Sequence, residues 1–190
     1  MKIGILGGTF NPIHLGHLIL AEEIRQKIGL SKVIFVPANL PPHKDNGEII
    51  PAHHRLNMLR LAIKGNANFS VSDTEIKRGN RSYTIDTIKE FKKVYHEYEL
   101  CFIIGSDLIK YLNEWKDLKE IIALVRFIAV TRPGYPLENL PDYMTTVEIR
   151  AVDISAFEIR QCIKQNVSFR YLVPEAVRNY IHKKRLYKEL

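Results

Sequence analysis

The chain has 190 residues, 46% of them hydrophobic and 26% charged, with a formal net charge of +7. That length and balance suit one globular domain over residues 1–190 with a substantial core and a small C-terminal helical part from about 155 to 190. Cys101 and Cys162 are too few and too isolated for a disulfide framework, and no apolar stretch approaches a membrane span.

In chain order, Lys2–Leu6 reads as a strand and Leu15–Ile28 as a helix ended by Gly29. Val33–Val36 is the next strand, stopped by Pro37, and the breaker-rich stretch from Pro41 to Gly47 is a loop. Ala52–Lys64 is predicted helical, with Leu56, Leu59 and Ile63 on one side and Arg60 towards solvent. Phe69–Val71 and Thr74–Ile76 read as short strands around Ser72-Asp73. Thr84–Tyr95 is expected as a helix, Leu100–Ile104 as a strand and Leu118–Leu124 as a helix. Phe127–Val130 is a strand halted at Arg132-Pro133-Gly134, and Thr146–Val152 is the last strand. Ser155–Gln165 and Pro174–His182 close the chain as helices, the former opened by a Ser155/Glu158 capping box and the latter with Pro174 at its first position.

Strands alternating with helices point to an α/β fold, a Rossmann-like, doubly wound and mainly parallel sheet. Ligands of such sheets bind beyond the carboxyl ends of the strands. Gly-x-Gly-x-x-Gly is absent, which disfavours a dinucleotide-binding dehydrogenase. The lysines do not form a nucleic-acid stripe: Lys89, Lys92 and Lys93 suit a solvated helix face, and Lys183, Lys184, Arg185 and Lys188 suit a helix C-terminus. The positive field instead favours small polyanions such as nucleoside triphosphates.

Residues 7 to 17, Gly-Gly-Thr-Phe-Asn-Pro-Ile-His-Leu-Gly-His, carry the most chemistry. A strand feeding a glycine turn and then a helix aims backbone N–H groups and a helix dipole at an anion. His14 and His17, spaced i, i+3, place two imidazoles on the face of the first turn. A packing turn with two surface histidines is the plainer reading, and a metal site is weak without a nearby Cys or carboxylate.

This segment, with Asp153-Ile154-Ser155-Ala156-Phe157-Glu158-Ile159-Arg160, resembles the nucleotidyltransferase superfamily that carries His-x-Gly-His. There the first motif holds the α-phosphate, and the second, usually Ile-Ser-Ser-Thr-x-Ile-Arg, holds the β and γ phosphates. Here Ala156 and Phe157 stand where Ser and Thr are usual, which bears on triphosphate affinity rather than on the type of reaction. Pro41-Pro42-His43-Lys44, Lys77-Arg78-Gly79, Ser82 to Thr87, Phe102 to Asp107, Trp115, Arg132-Pro133-Gly134 and Tyr171 to Pro174 extend the likeness. In this order they resemble the bacterial nicotinate mononucleotide adenylyltransferase family over nearly the whole chain.

The resemblance implies that Gly7, Gly8, Thr9, Phe10, His14 and His17 bind ATP together with Gly105, Asp107, Ile154, Ser155 and Arg160. It implies that Thr9, Phe10, His43, Lys44, Tyr83, Thr84, Asp107, Trp115 and Arg132 receive nicotinate mononucleotide. His14, His17 and Arg160 are the expected catalytic residues, with no protein-held metal. Trp115, the only tryptophan, suits stacking on the cationic pyridinium, with a core tryptophan as the alternative. Asp107 suits ribose hydroxyls or help with a metal, or else a helix N-cap, and Ser155 suits phosphate or a plain cap.

The expected reaction is in-line attack of the nicotinate mononucleotide phosphate on the α-phosphorus of ATP, giving nicotinate adenine dinucleotide and pyrophosphate. Mg²⁺ held through ATP phosphates is the expected cofactor. Phosphopantetheine adenylyltransferase and a non-catalytic nucleotide-binding regulatory module are the alternatives. The expected partners are ATP and nicotinate mononucleotide, with no nucleic acid or membrane and an open possibility of a homo-oligomer. The opening Met1–Gly4 lacks a signal-peptide layout, so the cytoplasm is the expected location.

Overall fold

The computed structural model describes residues 1–40, 49–131, 140–150 and 152–188. Its strands are β1 (Lys2–Gly8), β2 (Lys32–Pro37), β3 (Phe69–Val71), β4 (Glu99–Gly105), β5 (Arg126–Val130) and β6 (Met144–Val147). Its helices are α1 (Leu15–Lys27), α2 (Ala52–Ala62), α3 (Thr74–Arg78), α4 (Thr84–Val94), α5 (Ser106–Ile109), α6 (Leu118–Leu124), α7 (Ala156–Lys164) and α8 (Glu175–Lys184). A short 3-10 turn lies at Leu112–Glu114.

The six strands form one sheet in the order β3-β2-β1-β4-β5-β6, every pairing parallel. This is the doubly wound Rossmann order, in which the chain reverses direction across the sheet between β1 and β4. The strands are apolar on both faces because both are covered. Leu6, Val33, Phe35, Cys101, Ile103, Ile128 and Val130 face one core, shared with Ala21, Met58, Ile159 and Ile181 of α1, α2, α7 and α8. Ile3, Ile5, Ile34, Val36, Phe102, Ile104 and Phe127 face the other, with Ile85, Ile88 and Phe91 of α4 and Ile121 of α6. Each fully buried apolar side chain contributes roughly 1.5–3 kcal/mol. The first core runs from Leu6 to Tyr187, so α7 and α8 pack on the same sheet face as α1 and α2.

Two expected strands are corrected. Thr74–Ile76 is not a strand but the start of α3. Its inward residue is Glu75, which accepts from the Thr87 hydroxyl (2.7 Å), while Lys77 pairs with Asp73 one turn back at 3.0 Å. A helix delivers that spacing, and Gly79 ends it with φ 76°. The last strand lies earlier than Thr146–Val152, at Met144–Val147. β6 can pair only as far as β5 extends, and the register ends at Val130 with Val147. Beyond it the chain turns to α1: Arg150 donates its backbone N–H to Glu23 at 2.8 Å, and its guanidinium pairs with the same carboxylate. Pro174 is the N-cap of α8 rather than its first helical residue. Among the described residues no helix is long and apolar enough to cross a membrane.

Candidate active site

The carboxyl ends of β1 and β4 lie side by side, Leu6 opposite Ile103, so Gly7, Gly8 and Gly105 open onto one edge. Gly7 and Gly8 still pair with Val36 and Pro37 of β2. The chain then turns sharply at Phe10, whose φ of 49° is left-handed. Such a conformation costs a non-glycine residue roughly 1–2 kcal/mol. Burial of the ring offsets it: Phe10 is 3% exposed and packs edge-on against His17 at 5.1 Å and near Phe35 at 5.9 Å. The Phe10 side chain thus belongs to the core, and only its backbone reaches the site.

His14 is the N-cap of α1, and His17 lies three residues on. Their rings stand 3.6 Å apart, as the i, i+3 spacing predicts. The His14 N–H donates to His17 Nδ1 at 3.3 Å, so the proton of the neutral His17 ring sits on Nε2. Gly16 is required between them: a Cβ there would meet His14 Nδ1 at 3.1 Å and Ile154 Cβ at 3.7 Å. His14 is 6% exposed under this glycine.

The second motif closes on the first. Ile154 packs on Gly16, and Arg160 Nη1 donates to the Asn11 carbonyl at 3.0 Å. Ser155 is the N-cap of α7, but the expected capping box forms only in part: its Oγ accepts from the Glu158 N–H and donates to the Glu158 carboxylate, both at 3.1 Å, so the carboxylate meets the hydroxyl rather than the Ser155 backbone N–H. The N–H groups of Ala156 and Phe157 belong to the first turn, which has no intrahelical acceptor for them. Phe157 is 55% exposed, with the Arg160 guanidinium 5.8 Å from its ring centre.

On the β4 side Gly105, not Asp107, caps α5. The Asp107 carboxylate folds back to 2.5 Å from where a Cβ on Gly105 would stand. Tyr83 caps α4 and Thr84 begins it. Lys116 Nζ lies 4.9 Å from the Tyr83 ring centre, which brings the α4 start beside Trp115. Trp115 is half-buried, edge-on to Phe102 at 5.6 Å and 6.4 Å from Phe127. Among the described residues, no three His, Cys, Asp or Glu side chains converge as a metal cage. His43, Lys44 and Arg132 lie outside the described residues, as do the Pro41–Gly47 loop and the Arg132-Pro133-Gly134 stop.

Three supporting residues escaped the sequence reading. Arg55, 1% exposed, donates to the carbonyls of Thr9 (2.8 Å), Ala38 (2.6 Å), Asn39 (3.0 Å) and Ile50 (3.1 Å). Burial pulls its pKa down, opposed by Tyr187 and Glu75. Its one sequence signal is a cation four residues before Leu59, on the apolar stripe of α2. The Asn11 side chain accepts from the Ile50 N–H (3.4 Å) and from the Tyr187 hydroxyl (3.1 Å). Burial pushes the Tyr187 phenol far up, so that hydroxyl stays a donor. No pattern in the last residues marks Tyr187.

Known proteins share this architecture and sequence. The cytidylyltransferase-like family model matches residues 5–162. A probable nicotinate-nucleotide adenylyltransferase of Geobacillus thermodenitrificans is 43% identical over 186 residues, covering 98% of this chain and 86% of the relative. One of Enterococcus faecalis is 40% identical over 188 residues, covering 99% and 85%. Plasmodium falciparum nicotinic acid mononucleotide adenylyltransferase complexed with NaAD has the same fold, with a TM-score of 0.83 over 98% of this chain and 97% of that one at 22% identity. The chain belongs to the nicotinate-nucleotide adenylyltransferase family of cytidylyltransferase-like proteins.

Proposed function

We propose that the chain transfers the adenylyl group of ATP to nicotinate mononucleotide, a step of NAD biosynthesis. A phosphate oxygen of the mononucleotide forms a bond to the α-phosphorus, the bond from that phosphorus to the bridging oxygen breaks, and pyrophosphate leaves. The nucleophile is already anionic, so no general base is needed. Positioning and charge neutralisation carry the catalysis. The observation that carries the reading is the contact of Arg160 with Asn11, which joins the imidazole turn to the start of α7 in a chain of this family.

His17 Nε2–H donates to the α-phosphate as charge builds there, and its hydrogen bond from the His14 N–H supports that tautomer. His14 assists from beneath Gly16. Arg160 and the N–H groups of Ala156 and Phe157 hold the departing pyrophosphate. Tyr83, Thr84 and Trp115 receive the pyridine nucleotide, and Asp107 its ribose. Magnesium would be held mainly by the ATP phosphates, with the Asp107 carboxylate as a suitable oxygen donor, and would neutralise triphosphate charge. A cytoplasmic location fits the same reading.

A coupled pyrophosphate assay tests it with nicotinate mononucleotide, nicotinamide mononucleotide and phosphopantetheine as acceptors. Release is expected with the acid and not with phosphopantetheine. Silence with every acceptor, despite tight ATP binding, would favour a regulatory module. Equal rates for acid and amide would overturn the preference for the acid while leaving adenylyl transfer standing.

A further inference from the structure

Arg55 meets the expected substrate residues only at the Thr9 carbonyl, and its guanidinium lies where three segments meet at the carboxyl edge of the sheet. Thr9 follows β1, Ala38 and Asn39 follow β2, and Ile50 precedes α2; all four carbonyls accept from Arg55. No carboxylate pairs with it in an ion pair among the described residues. An apolar side chain of the same volume would fill the space and leave those carbonyls without donors. The planar fork of guanidinium donors suits them, and a lysine cannot reproduce it.

The link runs on in both directions. From Thr9 the chain passes to Asn11, whose carbonyl accepts from Arg160, and then to the two imidazoles. From Asn39 the backbone N–H donates to Ser82 Oγ at 2.8 Å, and the Ser82 N–H returns to the Leu40 carbonyl at 3.1 Å. Ser82 is 9% exposed, and the next residue, Tyr83, caps α4. One buried cation therefore stands between the turn assigned to the α-phosphate and the helix start assigned to the acceptor.

We propose that Arg55 is a positioning residue for the transfer: through Thr9 on one side and Asn39–Ser82 on the other, it fixes the distance between the two substrate-holding elements. The proposal rests on the adenylyl-transfer reading above. In-line attack requires the nucleophilic oxygen and the α-phosphorus at near-contact, and a misplacement of about 1 Å costs on the order of 100-fold in rate. Arg55 acts on that separation and not on the affinity of either element for its own ligand.

Arg55→Lys, Ser82→Ala and the double variant test this. The readouts are kcat at saturating substrates, Kd for an ATP analogue with a methylene between the α- and β-phosphorus, and the folded fraction by circular dichroism. Arg55→Lys is expected to bind the analogue within about threefold of wild type while kcat falls about 100-fold. Ser82→Ala should lose about tenfold in kcat with unchanged Kd, and the double variant should be no worse than Arg55→Lys alone. A merely structural role would lower kcat only in step with the folded fraction and analogue binding, and that result overturns the proposal. So does a kcat for Arg55→Lys within about threefold of wild type, or full additivity of the pair. If Arg55→Lys does not fold, Ser82→Ala decides alone: lost kcat at unchanged Kd supports the proposal, and unchanged kcat overturns it. Wild-type protein that makes no dinucleotide overturns the adenylyl-transfer reading instead, which separates the two failures.

Discussion

The two helix starts proposed above to hold the triphosphate are built differently. At α1 the turn is buried and over-determined: Thr9 is held by Arg55, the Asn11 carbonyl by Arg160, and the Asn11 side chain by Ile50 and Tyr187. Its imidazoles are thereby placed by the fold. At α7 the side-chain hydroxyl is consumed in capping, and the next residues are Ala156 and an exposed Phe157. That start offers backbone N–H groups and one arginine. Both kinds of donor can stabilise charge on phosphate, side chains held by packing at α1 and backbone N–H groups at the helix end of α7. In the adenylyl-transfer reading proposed above, α1 serves the α-phosphate and α7 the leaving pyrophosphate.

The largest break in that contrast is His17→Ala, which should lower kcat about 10²- to 10³-fold. Circular dichroism should show the fold nearly intact; retention of most of the wild-type kcat would remove His17 from its role. Next, Arg160→Met takes away a charged donor and the tie to Asn11. It should cost roughly 10- to 100-fold in kcat/KM for ATP with little change in the acceptor KM. A matched rise in both KM values would mean that Arg160 serves the whole site rather than the α7 half. The paired change Ala156→Ser with Phe157→Thr sharpens the contrast by adding hydroxyls to α7, and it should lower the ATP KM about 3- to 10-fold. No change would mean that backbone groups and Arg160 already saturate that half.

Ser155→Ala should destabilise the protein by about 1 kcal/mol through loss of the cap, seen in thermal melts. If the hydroxyl serves only its bonds to Glu158, kcat/KM should stay within about twofold of wild type. A large rise in ATP KM would reverse that assignment. The smallest effect is a pH dependence on the α1 side. His54 Nδ1 shares a hydrogen bond with the Tyr180 hydroxyl at 2.9 Å, and burial, His53 and Lys184 hold its pKa below the ordinary 6.5. The unfolded chain thus takes up its proton first, so the contribution is present above about pH 6.5 and is lost as pH falls from there through the lower folded-state pKa. Thermal melts from pH 8 to 5 should show this decline, and His54→Asn should flatten it; an unchanged slope would clear His54.

Much of the site was legible because its signals are local. Gly16 and the paired imidazoles lie within one turn of chain, and the Ser155 cap on Glu158 spans one helical turn, so spacing alone predicts these contacts. Trp115 was less legible, since its polar flanks in sequence hide the edge-on packing on Phe102 and Phe127. Thr74–Ile76 misled because a three-residue run has no period of its own, and the partners of Glu75 and Arg78 on α4 decided for a helix.

The sequence by itself determined the parallel α/β class and the two motifs that meet at Asn11 and Gly16, because alternating apolar runs and a glycine–imidazole turn act through near neighbours. Only the tertiary structure decided the strand order, the end of β6, and the roles of Asn11, Arg55 and Tyr187. The acceptors of Arg55 are backbone carbonyls from segments up to 46 residues away. Every residue carries such a carbonyl, so nothing in the side-chain sequence marks which ones a buried guanidinium will find.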